Sequence, residues 1–400
     1  MNLHNLFQRK PLMAKGRVTN MKLRLAFLFA LLTLFLTSCA FGVVRDTQTG
    51  VPIQGAAVVF QDSQGKIGEV AAGTSGLYTF DGFFTAQPIP GQTTFWISAP
   101  GYVPLTTQAI VAYDEHGNWT QDFSLEKSSA VRIYGLNFSP YMDGQNPNQG
   151  STISEAQLRT RMAIIAPYTE WIRTFSCSAG LEKAGVVAHE LGLKAAIGAW
   201  LSKDLAANER EINCLISLAQ TGQADMAIVG SEVLLRGDLS ESQLIGYINR
   251  VEQAAPGLPV ATADVYGELL DHSSVMAAGD VVLANFYPYW EGIGTEQALD
   301  SLSSQYQRLV SKAGGKQVLV SETGWPSGGD SLGKAIPSPE NASSFFASFV
   351  SWAKSQGVDY FYFEAFDETW KAASEGPQGA HWGIWDKNGS MKTGMERVFQ

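Results

Sequence analysis

The stretch VLVSETGWPS, residues 318–327, begins as an apolar, largely β-branched run and then presents a carboxylate, Glu322, followed by Thr, Gly, Trp and Pro. A short apolar run bounded by Gly and Pro reads as a buried strand that leaves the core into a turn. That explains the Gly and the Pro. It does not explain an acid and an indole at the exit, and the rest of the chain decides whether the exit is an ordinary turn or a site.

Working outward, seven more runs of the same texture occur from residue 131 onward: VRIYGLNF at Val131, WIRTF at Trp171, KAAIGA at Lys194, MAIVG at Met226, VATAD at Val260, VVLANF at Val281 and YFYF at Tyr360. Helix-like stretches such as SEAQLRTRMAII, GLEKAGVVAHELG, SESQLIGYINRVEQAA and NASSFFASFVSWAKSQG separate most of them. Eight strand–helix alternations predict an α/β fold, a (β/α)8 TIM barrel, over residues 128–400. In that fold the active site lies at the C-terminal ends of the strands.

Five of the eight strands end in groups suited to a carbohydrate, which offers apolar ring faces and hydroxyl edges. Strand one supplies Tyr134, Asn137 and Tyr141; strand four, Ser231 and Glu232; strand six, Tyr287, Tyr289 and Trp290; strand seven, Glu322 and Trp325; strand eight, Glu364, Asp367, Glu368 and Trp370. Glycoside hydrolysis needs one carboxylic acid to protonate the leaving oxygen and a second to attack or to activate water. Glu232 and Glu322 are the candidate pair, because each directly follows an apolar run, as IVGSE and VLVSE. The plainer alternative is that each simply pairs with an arginine such as Arg173 or Arg236.

On these residues the chain resembles glycoside hydrolase family 17, the β-1,3-glucanase and glucanosyltransferase family, from about residue 131 to the C-terminus. ETGWPS from Glu322 is similar to the family's nucleophile motif and VGSEVLLR from Val229 to its acid/base motif. FYPYW at Phe286 and FEAFDETWK at Phe363 resemble the strand-six and strand-eight elements. The resemblance implies Glu322 as nucleophile, Glu232 as general acid and then base, and Glu368 and Lys371 as supporting polar residues. One position departs from the pattern: Ser231 stands where the family carries Asn, whose amide would donate to the sugar 2-hydroxyl. Ser has a shorter reach and a single donor, which leaves a slower enzyme, a shifted sugar pose, or a neighbour such as Asn285 making the contact.

The implied mechanism is retaining double displacement, with carboxyl groups ~5–5.5 Å apart and a covalent glycosyl-enzyme on Glu322. Glu232 must hold its proton until it acts, which calls for burial or a neighbouring negative charge. Tyr134, Asn137, Ser231, Tyr287, Tyr289, Trp325, Trp370, Glu368 and Lys371 are the expected substrate-binding residues. No metal or organic cofactor is required by any step. The expected partner is a β-glucan, with a transglycosylase using the same residues, or a weakly catalytic glucan-binding lipoprotein, as competing readings.

Ahead of the barrel, residues 39–127 read as short alternating segments with frequent Gly and Pro, the pattern of a small all-β sandwich. Elements at residues 49–58, 76–80 and 99–102 resemble the carboxypeptidase regulatory-like, or transthyretin-like, domain. Its aromatics Trp96, Tyr102 and Trp119 are expected mainly in a core, and the unit is expected to act as a spacer. Residues 21–40, MKLRLAFLFALLTLFLTSCA, combine a basic start, an apolar run too short for the ~20 residues of a membrane span, and Leu-Thr-Ser-Cys. That ending resembles a bacterial lipobox, so residues 1–38 are the expected lipoprotein signal and Cys39 the acylated residue. Ala40 after it implies an extracytoplasmic, outer-membrane destination.

Charged residues make up 16% of the chain and the formal net charge is −10, with no basic cluster in its body, which argues against nucleic acid as a partner; a monomer is expected. Besides Cys39, the chain has Cys177 and Cys214, which either pair or remain two buried thiols. HELGLK at His189 lacks the second His of a zinc protease and reads as helix surface. SGGD after Trp325-Pro326 lacks the Lys of a phosphate loop. HWGIWD at His381 fits an acceptor subsite or core packing equally.

Overall fold

The computed structural model describes residues 39–82 and 85–400. The signal sequence expected over residues 1–38 lies outside the described residues. Eight strands come first: β1 (Cys39–Asp46), β2 (Ala57–Gln61), β3 (Ile67–Ala71), β4 (Leu77–Phe80), β5 (Gly91–Ser98), β6 (Leu105–Val111), β7 (Asn118–Thr120) and β8 (Phe123–Leu125). They form two four-stranded sheets, one with β1 at its centre and one ordered β3-β2-β5-β6.

Alternation along β1, half-buried then buried through all its residues, is what a strand with one face on a core must show. Val44, Tyr78, Phe80 and Phe123 of one sheet meet Val58, Phe60, Phe95 and Ile97 of the other. Trp119 is part of this core, stacked on Phe95 with ring centroids 5.5 Å apart. Trp96 has the opposite role. It points out of the sandwich, and its indole N–H donates to Thr160 Oγ1 at 3.1 Å, while Ser98 Oγ donates to the Glu190 carbonyl at 3.1 Å. The sandwich thus lies against the flank of the second unit.

That unit contains β9 (Ile133–Asn137), β10 (Thr169–Arg173), β11 (Lys194–Ala199), β12 (Met226–Ser231), β13 (Val260–Val265), β14 (Val282–Asn285) and β15 (Val318–Glu322), all parallel and hydrogen-bonded in sequence order. The expected eighth strand is a correction. YFYF at 360–363 forms no full ladder and closes the ring through single bridges, Val320 to Tyr360 and Leu136 to Tyr362. The close approach depends on Gly135, where a Cβ would sit 2.8 Å from the Tyr360 carbonyl oxygen. Beyond Phe363 the Glu364 N–H turns to the Trp382 carbonyl, while Ala365 N–H still reaches the Asn137 carbonyl at the end of β9.

Buried on both faces along most of their length, the strands are largely apolar; all six residues of β12 are buried, as expected for a parallel sheet covered by helices. Ala196, Ile228, Ala261, Leu283, Leu319 and Phe361 fill the barrel interior. The covering helices include α1 (Glu155–Ile165), α2 (Ala184–Glu190), α3 (Leu205–Gln220) and α4 (Glu241–Ala254). Ser154 caps α1 by accepting from Gln157 N, and Ser240 forms a capping box with Gln243 at α4, each worth ~1 kcal/mol. His189 is on α2 and pairs with Asp225, a helix-surface role. Cys177 and Cys214 are free thiols, and Cys214 Sγ donates to the Cys177 carbonyl at 2.6 Å.

Candidate active site

At the end of β12 the chain does two unusual things. The register against β13 shifts between Ile228 and Ser231, a bulge of the kind that re-aims a side chain beside a site. Gly230 and Glu232 then adopt positive φ, 79° and 52°. Only glycine tolerates the first without cost; for Glu232 the left-handed conformation costs about 1–3 kcal/mol and needs its surroundings to hold it. They do so through Glu232 N–H to the Ala263 carbonyl at 2.7 Å, Leu234 N–H to Asp264 Oδ2 at 2.9 Å, and Arg236 Nη1 to the Ser231 carbonyl at 2.6 Å.

Glu322, the last residue of β15, is held from both sides. Its Oε1 accepts from Arg173 Nη1 at 2.7 Å and Ser231 Oγ at 3.2 Å, and its Oε2 accepts from the Tyr287 hydroxyl at 2.8 Å. Arg173, at the end of β10, is fully buried. It is oriented by Asn137 Oδ1 at 2.7 Å and the Ser321 carbonyl at 3.0 Å, and its Nη2 donates to Ser231 Oγ at 3.0 Å. Glu232 has different company: Asn285 Nδ2 donates to its Oε1 at 2.9 Å, and Asn285 Oδ1 accepts from Ser321 Oγ at 2.6 Å.

The electrostatics follow from this difference. Burial, and then the negative charge of Glu322, push the Glu232 carboxyl up to about 7, against the opposing donation from Asn285. Burial and the same two carboxylates hold the Tyr287 phenol well above its usual range, so it stays a donor. Both acids open into one cleft of about 470 Å³, whose walls include Phe175, Trp200, Glu368 and Trp370. A second buried charge cluster forms one wall: Lys371 Nζ pairs with Glu364 and, at 2.7 Å, with Glu368, which also accepts from Ser139 Oγ and, at 2.9 Å, from the Trp370 indole.

Residues 135–383 match the BtgE/BtgC glycoside hydrolase domain. The family 17 β-1,3-glucanosyltransferase of Rhizomucor miehei is 32% identical, with a TM-score of 0.59 over 66% of this chain and 96% of that one. The chain belongs to glycoside hydrolase family 17. Similar too are an active-site mutant of a Rhizomucor miehei β-1,3-glucanosyltransferase in complex with laminaritriose, 32% identical with a TM-score of 0.58 over 66% of this chain and 96% of that one, and a curated glucan 1,3-beta-glucosidase of Saccharomyces cerevisiae, 28% identical over 69% of this chain and 95% of its own length.

In this family 17 barrel the structure brings Glu232, Glu322, Ser231, Glu368, Lys371 and Trp370 to the cleft wall. Five of the expected binding residues are placed elsewhere or otherwise employed. Tyr134 lies three residues before the end of β9, roughly 10 Å down the strand at ~3.3 Å per residue, and stacks on Trp171 at 5.9 Å. Trp325 is 1% exposed, with its indole N–H on the Ile336 carbonyl at 3.0 Å. Tyr289, also 1% exposed, donates to the Asp330 carbonyl. Neither offers a ring face to a ligand. Asn137 is fully buried and donates to the Ser321 and Phe361 carbonyls; it orients Arg173. Tyr287 presents its hydroxyl to Glu322 while its ring packs edge-on against Phe363 and Trp382. Trp382 and Trp385 are buried, so the tryptophans of HWGIWD are core, whereas His381 is exposed. Asn285 binds Glu232, and Ser231 bonds within the Glu322 cage.

Arg173 and Trp200 went unrecognised as site residues. The strand-end rule that found Glu322 finds both when applied to WIRTF and KAAIGAW, the second and third strands.

Proposed function

We propose that this chain hydrolyses β-1,3-glucan by retaining double displacement, with Glu322 as nucleophile and Glu232 as general acid and then base. The observation that carries the reading is the asymmetry of the two carboxylates. Among the described residues, Glu322 has a cation at ion-pair distance, Arg173, and Glu232 has none. A carboxylate caged by donors beside a second one that burial keeps protonated divides the pair into an attacker and a proton donor.

In the first step Glu322 attacks the anomeric carbon while Glu232 protonates the departing glycosidic oxygen. The Arg173 guanidinium and Tyr287 hydroxyl hold the attacking carboxylate in place. Once Glu322 is esterified its negative charge no longer raises Glu232, which then serves as base toward water. Trp370, with its indole tied to Glu368, and the Lys371 cluster line the bound glucan. The names of the yeast and Rhizomucor relatives support the β-1,3 linkage.

The Rhizomucor resemblance also favours a second reading, glucanosyl transfer to another sugar by the same residues. Mass-spectrometric analysis of products from one β-1,3-gluco-oligosaccharide separates the two. Shorter products alone establish hydrolysis, longer products establish transfer, and an unchanged substrate refutes both.

The cellular reading rests on residues 21–40: an extracytoplasmic protein held in the outer membrane through acylated Cys39, with a carboxypeptidase regulatory-like sandwich between membrane and barrel. Mass spectrometry of the mature N-terminal peptide tests it; a Cys39 peptide without acyl chains refutes the anchor.

A further inference from the structure

Trp200 follows β11 directly, lines the cleft, and keeps 40% of its surface exposed. An exposed indole free to change rotamer would be unremarkable. This one is fixed at two points. Its backbone N–H donates to Glu211 Oε2 at 3.0 Å, and the guanidinium of Arg236 lies 4.3 Å over its ring.

Both anchors are themselves held. Glu211, on α3 and 7% exposed, accepts from Ser176 Oγ at 2.9 Å, from Ser178 Oγ, and from the Cys177 N–H at 3.2 Å. One buried carboxylate therefore joins the loop after β10 to the loop after β11. Arg236 spends its donors on Asp238 Oδ2 at 2.7 Å, the Ser231 carbonyl at 2.6 Å and the Leu201 carbonyl at 2.9 Å. It is thus held over the indole and tied to the residue before Glu232. A ring in the cleft wall that is backed by a fixed cation and still 40% exposed has the form of a sugar-stacking platform, whose apolar surface accepts the C–H face of a pyranose.

We propose that Trp200 binds a β-linked glucosyl unit away from the scissile bond, and that Glu211 and Arg236 are its positioning residues. The inference rests on the reading of the cleft as a glucan site. It explains a buried acid, Glu211, for which the chemistry at Glu232 and Glu322 has no use. It also makes affinity rise with chain length until the platform is filled.

The test is isothermal titration of β-1,3-gluco-oligosaccharides of increasing length into the Glu322→Gln protein, with and without Trp200→Ala. The expected result is a loss of at least ~10-fold in affinity for the longest ligand, a clearly smaller loss for the disaccharide, and partial recovery in Trp200→Phe. Glu211→Gln should show the same dependence on length in weaker form. Equal affinities with and without the indole overturn the platform. A loss by the same factor at every length also overturns it, because that is general distortion of the cleft. If the protein retaining Trp200 binds no oligosaccharide of any length, the platform falls together with the glucan reading.

Discussion

Replacing Asn285 with Ala should move the alkaline limb of the pH–rate profile upward. Glu232 must be protonated to act as acid, so kcat/KM falls as that proton is lost, near pH 7 in the native protein. Asn285 Nδ2 donates to Glu232 at 2.9 Å, and a donor favours the ionised form. Deleting it therefore strengthens the carboxyl's hold on its proton. A hydrogen bond to a charged group is worth ~1.5–3 kcal/mol, and ~1.4 kcal/mol corresponds to one pH unit, which sets a ceiling of about one to two units. Water entering the vacated space recovers part of it, leaving about half to one and a half. The assay is kcat/KM on a soluble β-1,3-gluco-oligosaccharide from about pH 5 to about pH 9, where the profile reports the free enzyme. A limb that stays in place or moves down would refute the assignment of Glu232 as the titrating acid. Loss of Asn285 also strands Ser321 Oγ, so stability should fall by ~1–3 kcal/mol, measurable separately by urea unfolding.

Glu322→Gln and Glu232→Gln should each lower turnover of an unactivated glucan by at least ~10²-fold, and near-normal turnover from either would sink its role. Tyr287→Phe removes the hydroxyl on Glu322 Oε2 and should cut kcat about 10-fold or more with little change in unfolding midpoint; an unchanged kcat would show that this donor is idle in the reaction. Arg173→Met leaves the Glu322 carboxylate buried without its cation, so the fold should lose ~3–5 kcal/mol at neutral pH, and an unfolding free energy equal to the native one would contradict the pairing.

The fold was legible because a parallel barrel writes itself as apolar runs: seven of the eight expected runs became strands. The eighth was misread because YFYF has strand composition, while its pairing is limited to two bridges and the next N–H, of Glu364, goes to the Trp382 carbonyl, a partner that local sequence does not encode. The two acids were legible because a carboxylate directly after a buried run has one place to go. Of the expected substrate-binding aromatics only Trp370 reached the cleft wall. Residue type places a ring near a strand end without saying which way it turns, so Trp325 and Tyr289 went into the wall while Trp200 stayed in the cleft. Tyr134 failed for a simpler reason, since it lies too far down its strand to reach the site.

IVGSE and VLVSE leave the sheet through the same Ser-Glu pair, and yet their carboxylates stand in opposite surroundings. The cause is backbone geometry at one of them. β15 delivers Glu322 in extended conformation into the reach of Arg173, Ser231 and Tyr287. On β12 the bulge and the left-handed Glu232 separate its carboxylate from that cage and leave Asn285 as its donor. Ser231 then faces the opposite acid, between Arg173 Nη2 and Glu322 Oε1. At this position the chain thus has a hydroxyl that donates to Glu322. Its single O–H is committed there, so a contact to a sugar 2-hydroxyl would have to compete with the Glu322 carboxylate for the same proton.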